Sequence, residues 1–450
     1  MTWDRYDVQW YMVSLHVQKL ILFLVQRGAK NFTLAVDELF IGLLECFATL
    51  CSGVHRDMIC IETQYFSLNR ILLLVMGLWP YKQSKLVRLH FIFFLSILTS
   101  AILFQFTSFL TVKYTSDLAI KVFSTTLFFI LFLIKYIAFA VNIENMKDLL
   151  TQLQYTYNGL RDKYENIIIE KYSDNGKWYT ITLIIVAICS VFALIVAQFW
   201  SSIYDVVLSR NVTESRHLLI TTEYFIDPEK YFYLIVLHIC AAFCIGCTAM
   251  IAIGTMLIAY LQHTCGMFRI SSYRIKRVMK INMLQNMTLK NENLIFKEII
   301  SAIDIHRQAM KLSELLVSKF EIMLFCLIGV GVISLSLNLF RIFQIRESED
   351  NINEFLFPAI SVISCILYMF ISNYIGQDVI NHTDHVFITA YSIQWYLAPL
   401  HIQKIILFLL QRNAKNFTLG VGGLFIGSLE CFATLVKASV SYFTVMYSVQ

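Results

Sequence analysis

Residues Trp178–Trp200 read WYTITLIIVAICSVFALIVAQFW, a run without one charged side chain. About 20 apolar residues of helix cross the roughly 30 Å hydrocarbon core of a bilayer, so this stretch alone can span one. Five more runs are as long and mainly apolar: Phe91–Val112, Val122–Val141, Tyr231–Leu261, Phe320–Phe340 and Phe355–Ile375. A seventh, Leu419–Tyr447, is interrupted by Glu430 and Lys437. The rest of the chain agrees with this reading. Its 450 residues are 58% hydrophobic and 15% charged, with a mean hydropathy of +0.64, against roughly 45–50% and about 25% in soluble domains. Four prolines and sixteen glycines leave no flexible linker between domains. The expected fold is all-α, a polytopic seven-transmembrane helical bundle with aromatic packing.

Cytoplasmic loops carry the excess of Lys and Arg. Residues 51–90, 142–177, 262–319 and 376–418 together hold 23 of them, and the loops on the opposite side hold six. The N-terminus is therefore expected in the cytoplasm and the C-terminus outside, the reverse of a G-protein-coupled receptor. No Asp-Arg-Tyr ends the third span and no Asn-Pro-x-x-Tyr ends the seventh. All eleven cysteines fall in spans or on the basic side, so no disulfide framework is available to an ectodomain. Asn211-Val-Thr213 lies in the long outer loop 201–230 and is a glycosylation candidate; the same pattern at Asn286 and Asn416 falls on the inner side.

Residues 8–50 repeat 393–435 without a gap, with 31 identities over 43 positions, Gln9-Trp10-Tyr11 matching Gln394-Trp395-Tyr396 among them. Two copies at opposite ends exclude a solenoid. The apolar run of the first copy, Leu39–Leu50, is too short to span, and no signal-peptide cleavage site follows it. Residues 1–57 are expected to be the fused tail of a tandem gene copy, with the receptor proper starting at Met58; a functional N-terminal anchor is the alternative. The remaining organisation is a leading cytoplasmic helix in 58–90, spans one to six in 91–375, a cytoplasmic anchor segment in 376–418 and a seventh span in 419–450.

The segment Asn69-Arg70-Ile71-Leu72-Leu73-Leu74 followed by Gly77-Leu78-Trp79-Pro80-Tyr81, together with the tail Ala438-Ser439-Val440-Ser441-Tyr442-Phe443-Thr444-Val445, resembles insect odorant receptors over residues 58–450. The resemblance implies an odorant-gated, non-selective cation channel. It would assemble as a hetero-tetramer with the shared olfactory co-receptor (Orco) in the plasma membrane of olfactory sensory neurons. It also implies cytoplasmic anchor helices where subunits meet and a pore lined by the last span. Residues 262–319, with Ile295, Ile299, Ala302 and Ile305 set among charges, read as amphipathic helix, and so does Trp395–Gln411.

Ser441, Val445, Ser448 and Val449 recur at i, i+4, i+7 and i+8 and share one helix face. An apolar ring can hold a pore closed by dewetting it. Val445 and Val449 are therefore the gate candidates, Ser441 and Ser448 the polar lining, and the resemblance places the family's gate at the same two positions. Packing of both valines against neighbouring spans is the competing reading. Glu430 and Lys437, seven residues apart, are about 10 Å apart along a helix and too distant to pair. They face protein or water rather than lipid. A volatile odorant needs a concave, aromatic-lined pocket with few polar groups. The candidates in the outer halves of the spans are Phe123, Thr126, Phe192, Val196, Phe199, Tyr233, Val236, Phe357 and Ser361, each of which could instead be bundle core.

Catalytic chemistry finds no motif: no P-loop, no Gly-x-Ser-x-Gly and no cofactor fingerprint is present. Asp378, His382, Asp384 and His385 combine carboxylates with imidazoles but read as a solvated cytoplasmic turn, without a cysteine or a third histidine at metal spacing. The partners expected are a small odorant, the co-receptor and membrane lipid, with no nucleic acid, cofactor or metal. A gustatory receptor of the same superfamily is the nearest alternative, although its Thr-Tyr…Gln-Phe tail is replaced here by Ser441-Tyr442-Phe443. A secondary transporter is the more distant one, and the inverted repeats common in that class are not seen.

Overall fold

The computed structural model describes residues 65–111, 114–160, 162–208, 220–227, 230–284, 289–347, 352–412 and 417–449. The repeated segment 1–57, the sequon Asn211 and the side chain of Phe199 lie outside the described residues.

Helix α1 (Ser67–Val75) buries Leu73 and Leu74. It ends in a turn where Gly77, at φ +69°, lets the Leu78 N–H reach back to the Leu73 carbonyl at 2.8 Å, closing off the last carbonyls. Helix α2 (Lys85–Phe106) starts at Ser84, whose hydroxyl accepts the Val87 N–H. Thr115 caps α3 (Ser116–Val141) in the same way through Leu118; both are side-chain N-caps. Helix α4 (Ile143–Asn158) buries Met146, Leu149, Leu150 and Leu153, a spacing of three and four that lays one face on the bundle.

Helices α5 (Lys163–Leu208) and α6 (Phe232–Leu284) run 46 and 53 residues. At 1.5 Å per residue they reach about 70 and 80 Å, far beyond a bilayer core. They are followed by α7 (Leu289–Lys319), α8 (Glu321–Glu347), α9 (Ile352–Ser392) and α10 (Leu400–Arg412). Among the described residues, seven helices are long and apolar enough to cross a membrane: α2, α3, α5, α6, α8, α9 and the last, α11 (Leu429–Val449). The regions read as amphipathic, 262–319 and Trp395–Gln411, fold as the end of α6 with α7, and as α10 behind a short 3-10 turn. Helix α6 is the spine, packed against α1, α2, α3, α5, α7 and α9. Gly246 permits one of these contacts, because a Cβ there would overlap the Phe132 ring of α3.

Helix α11 begins later than the Leu419 read from hydropathy. Strands β1 (Gly420–Val421) and β2 (Phe425–Ile426) form an antiparallel hairpin whose turn uses Gly422 and Gly423 at φ +62° and +66°. Side-chain-free left-handed positions are what such a turn requires. Residues 419–428 therefore form a hairpin that buries Leu419 and Val421 instead of extending the span. The hairpin is tied down at Gly422, whose N–H donates to Glu321 Oε1 at 2.9 Å, and at Ser428, whose N–H donates to Asn373 Oδ1 at 3.3 Å.

Candidate functional site

Two cavities open along the spine. The smaller, about 40 Å³, lies toward the end of the bundle that carries residues 220–227; Val191, Gln198, Ile220, Val236, Phe243 and Phe357 are among its walls. Two sequence candidates, Val236 and Phe357, therefore line it and are almost wholly buried. Val196 is half-buried on the same stretch of α5 without lining it. Ser361, one turn from Phe357, is buried with a hydroxyl that finds no hydrogen-bond partner among the described residues.

The other candidates go elsewhere. The Thr126 hydroxyl is committed to Gln105 Oε1 at 3.0 Å, joining α3 to α2. Phe123 packs edge-on to Phe106 beside Phe109 and is 44% exposed. Phe192 and Tyr233 are 66% and 51% exposed, on the outer surface of the bundle. Period alone does not tell a helix's lipid side from its protein side when both are apolar, and Phe123, Phe192 and Tyr233 show it.

The residues missed are the ones that pack around the cavity wall. Phe128 sits 5.9 Å from both Phe243, in a stacked arrangement, and Phe357, edge-on; such aromatic pairs add about 0.5–1.5 kcal/mol beyond burial. Segment 220–227 is tied to this end of the bundle and places Ile220 on the cavity wall. The Tyr224 hydroxyl meets His238 Nδ1 at 2.7 Å, His238 Nε2 meets the Ser100 hydroxyl at 2.9 Å, and the Tyr224 ring stacks on Phe104 at 4.2 Å. The Thr107 hydroxyl donates to the Glu223 carbonyl at 2.6 Å. Burial pushes the Tyr224 hydroxyl well up from its ordinary pKa, so it remains a donor.

The larger cavity, about 290 Å³, is lined by α3, α5, α6, α7, α8, α9, the hairpin and α11. Phe128 lines it and packs on Phe243 and Phe357 of the smaller cavity's wall, so its ring stands between the two spaces. Beside it stands Lys135 of α3, fully buried, its Nζ 3.2 Å from the Tyr368 hydroxyl and 4.4 Å from that ring's centroid. A cation at the centre of a spanning helix costs about 2.5–3.5 kcal/mol on insertion scales. The criterion applied to Glu430 and Lys437 would have singled out Lys135 too.

On α11, Leu435 and Ser439 are buried. The Ser439 carbonyl accepts the Ser336 hydroxyl at 3.0 Å and Phe443 packs on Phe343 at 4.9 Å, so this face lies on α8. Ser441, Val445, Ser448 and Val449 turn away from α8; Val445 is 59% and Val449 82% exposed.

Asp378 and His382 do not lie in a solvated turn. They sit within α9, because the helix runs on to Ser392, and Cys265 of α6 joins them in space, which linear spacing did not show. Their ligand atoms lie within 4.8 Å of one another. Both imidazole nitrogens are engaged, Nε2 with the Tyr172 hydroxyl at 2.6 Å and Nδ1 with the Asp378 carbonyl at 2.7 Å, while Gln262 donates to Asp378 Oδ2 at 2.9 Å. The cluster is a hydrogen-bonded clasp of α5, α6 and α9. Asp384 and His385 continue the same helix, and His385 meets Arg269 at 2.7 Å.

The sequence matches the seven-transmembrane odorant receptor family over residues 115–440. The chain belongs to the odorant receptor family. Two solved structures of the insect olfactory receptor OR5 from Machilis hrabei are similar to the receptor's fold. One, in complex with eugenol, superposes with a TM-score of 0.68 and the other with 0.69; each is 14% identical and covers 86% of this chain and 98% of its own. No curated protein matches the receptor in sequence. The receptor is thus a multi-pass membrane protein of olfaction, with the all-α fold read from its sequence.

Proposed function

We propose that the receptor is an odorant-gated, non-selective cation-channel subunit that works with the shared co-receptor in a tetramer at the surface of olfactory neurons, N-terminus inside and C-terminus outside. The observation that carries the channel reading is α11. It is the least apolar of the seven spans, yet it is packed on one face only, and its free face presents Ser441, Val445, Ser448 and Val449. A peripheral helix facing lipid gains from being apolar throughout; a helix facing water and other subunits does not. Helix α5 is equally peripheral but far more apolar, as lipid exposure demands.

The odorant site in this reading is the cavity between Val236 and Phe357, roofed by Ile220. At about 40 Å³ it is closed around little more than water, since one water needs roughly 10–15 Å³. An odorant enters as the Phe128 ring yields and draws on the larger space beneath. The related OR5 was solved with eugenol, which supports a small, mostly apolar ligand here. Opening follows if the odorant binds the open state better than the closed one. Whole-cell recording on co-expression with the co-receptor tests both parts. Odorant-evoked cation current is expected, with higher basal current in Val445→Ser. Absence of evoked current across a broad odorant panel, or a Val445→Ser variant with wild-type leak and selectivity at matched surface level, would remove the reading.

A further inference from the structure

The larger cavity carries a feature that a purely apolar ligand does not need. We propose that it binds a single-chain carboxylic acid, the carboxylate held by Lys135 and Tyr368 and the chain lying along the apolar walls of α6, α8 and α9.

Lys135 is buried directly behind the cavity wall. A Cβ on Gly254 would come within 3.0 Å of its Nζ, and Gly254, Tyr368, Leu131 and Phe132 all line the space. An ammonium has three donors; the Tyr368 hydroxyl takes one, and among the described residues no carboxylate pairs with the cation. Three other polar groups on the wall are already served, and Ser364 adds one neutral hydroxyl. Ser190 donates to the Val186 carbonyl, Ser372 to the Tyr368 carbonyl, and Asn373 donates to Met369 while accepting from Ser428. Among the described residues the cation is therefore the one unsatisfied charge beside a mainly hydrocarbon-lined volume. In so dry a site the attraction between opposite charges is several-fold stronger than in water, and a ligand with one anionic end and an apolar body matches both parts.

Size narrows the class. A cavity of about 150 Å³ holds benzene, so about 290 Å³ holds roughly a dozen heavy atoms, an acid of about ten carbons. A two-chain phospholipid is several times larger. The acid brings the anion that the protein does not supply, and the Tyr368 ring and hydroxyl fix the ammonium beside it.

The test compares decanoate with 1-decanol, equal in chain and different in charge, by displacement of a fluorescent fatty acid from the purified full-length receptor. Binding is read directly, so the outcome stands apart from channel activity. Decanoate is expected to bind at least tenfold more tightly than decanol, and Lys135→Met to erase that difference while Lys135→Arg keeps most of it. Ala187→Phe, which fills the cavity from α5, is expected to weaken both ligands. Equal affinities in the unmodified receptor overturn the proposal without recourse to any variant, as does a Lys135→Met effect of equal size on both ligands. Competition of decanoate by phosphatidylglycerol but not phosphatidylcholine in nanodiscs would reassign the cation to a lipid headgroup and overturn the single-chain assignment.

Discussion

The crossing of α9 by the hairpin gives a prediction with an internal control. Gly376 of α9 and Gly427, just after β2, face one another, but not symmetrically. A Cβ on Gly376 would lie 2.4 Å from the Gly427 carbonyl oxygen and 2.8 Å from its carbon, whereas one on Gly427 would meet nothing closer than the Gly376 Cα at 3.5 Å. Gly376→Ala must therefore push two backbones apart by about 1 Å to reach ordinary contact, and backbone cannot rotate aside as a side chain can. Overpacking of this kind costs about 1–3 kcal/mol, a fall in melting midpoint of roughly 2–6 °C if each kcal/mol moves a domain of about 250 residues by about 2 °C. Gly427→Ala should be within about 0.5 kcal/mol of the parent, as substitutions without a clash usually are. The hairpin leads into α11 through Ser428, so Gly376→Ala should also reduce odorant-evoked current per receptor at the surface. Thermal unfolding of the purified chain followed by tryptophan fluorescence, with surface-labelled recordings alongside, measures both. Equal midpoints for the two variants would show that the crossing is looser than these contacts and would refute the argument.

Phe128→Ala should join the two cavities and admit bulkier odorants, lowering the ratio of half-maximal concentrations for a large over a small ligand; an unchanged ratio would reject the partition. Because Phe128 is buried, the same change should cost about 3–5 kcal/mol of stability. Glu165 and Arg274 form a buried bidentate pair at 2.6 and 2.9 Å, and Arg274 also donates to the Ser301 hydroxyl at 2.7 Å. Glu165→Gln should cost about 3–5 kcal/mol by stranding the guanidinium, while loss of the more exposed Lys121 partner of Glu354 should stay within about 1 kcal/mol; similar unfolding midpoints for the two would contradict this. Asp162 accepts the Tyr164 N–H at 3.1 Å, with the Tyr273 hydroxyl and Arg277 on its other oxygen, and these hold its carboxyl below the usual range, the backbone bond first. A depressed carboxylate stabilises the fold above its unfolded pKa of about 3.9 and loses that contribution as pH falls through the folded value. Amide exchange at the start of α5 should accelerate below about pH 4 in the parent and show no such step in Asp162→Asn.

Much of the bundle was legible because a bilayer leaves a spanning segment little choice but helix. Runs of apolar residues gave the seven spans, and alternating blocks of charge and hydrophobe gave α7 and α10. Hydropathy failed at 419–428, where an apolar stretch folds as a hairpin; Gly420, Gly422 and Gly423 were the signal, since three glycines in four residues suit a turn and not a helix. The ligand pocket was legible only in part. Val236 and Phe357 point inward, but Phe123, Phe192 and Tyr233 share their chemistry and point out, and no single-chain periodicity distinguishes the two sides of a helix that is apolar all round. The residues packed around it were harder still: Tyr224, His238 and Ser100 meet across 124 positions of sequence between Ser100 and Tyr224.

Charge is where sequence and structure inform one another most. Lys135, Glu430 and Lys437 all interrupt apolar runs and carry the same nominal insertion penalty of about 2.5–3.5 kcal/mol, yet the fold treats them differently. Lys135 is withdrawn completely and given an aromatic hydroxyl. Glu430 and Lys437 are left exposed on α11, about two turns apart and without an ion pair among the described residues. Long side chains near a helix end can reach the interface, which suits Glu430 in the first turn of α11; Lys437 lies near the middle of its 21 residues and has no such route. A helix with an exposed central cation is stable in a membrane only beside water or a polar neighbour, neither of which lipid supplies. The least apolar span is thus also the one whose surroundings a single chain leaves incomplete, and the tetrameric pore proposed above would supply both missing components.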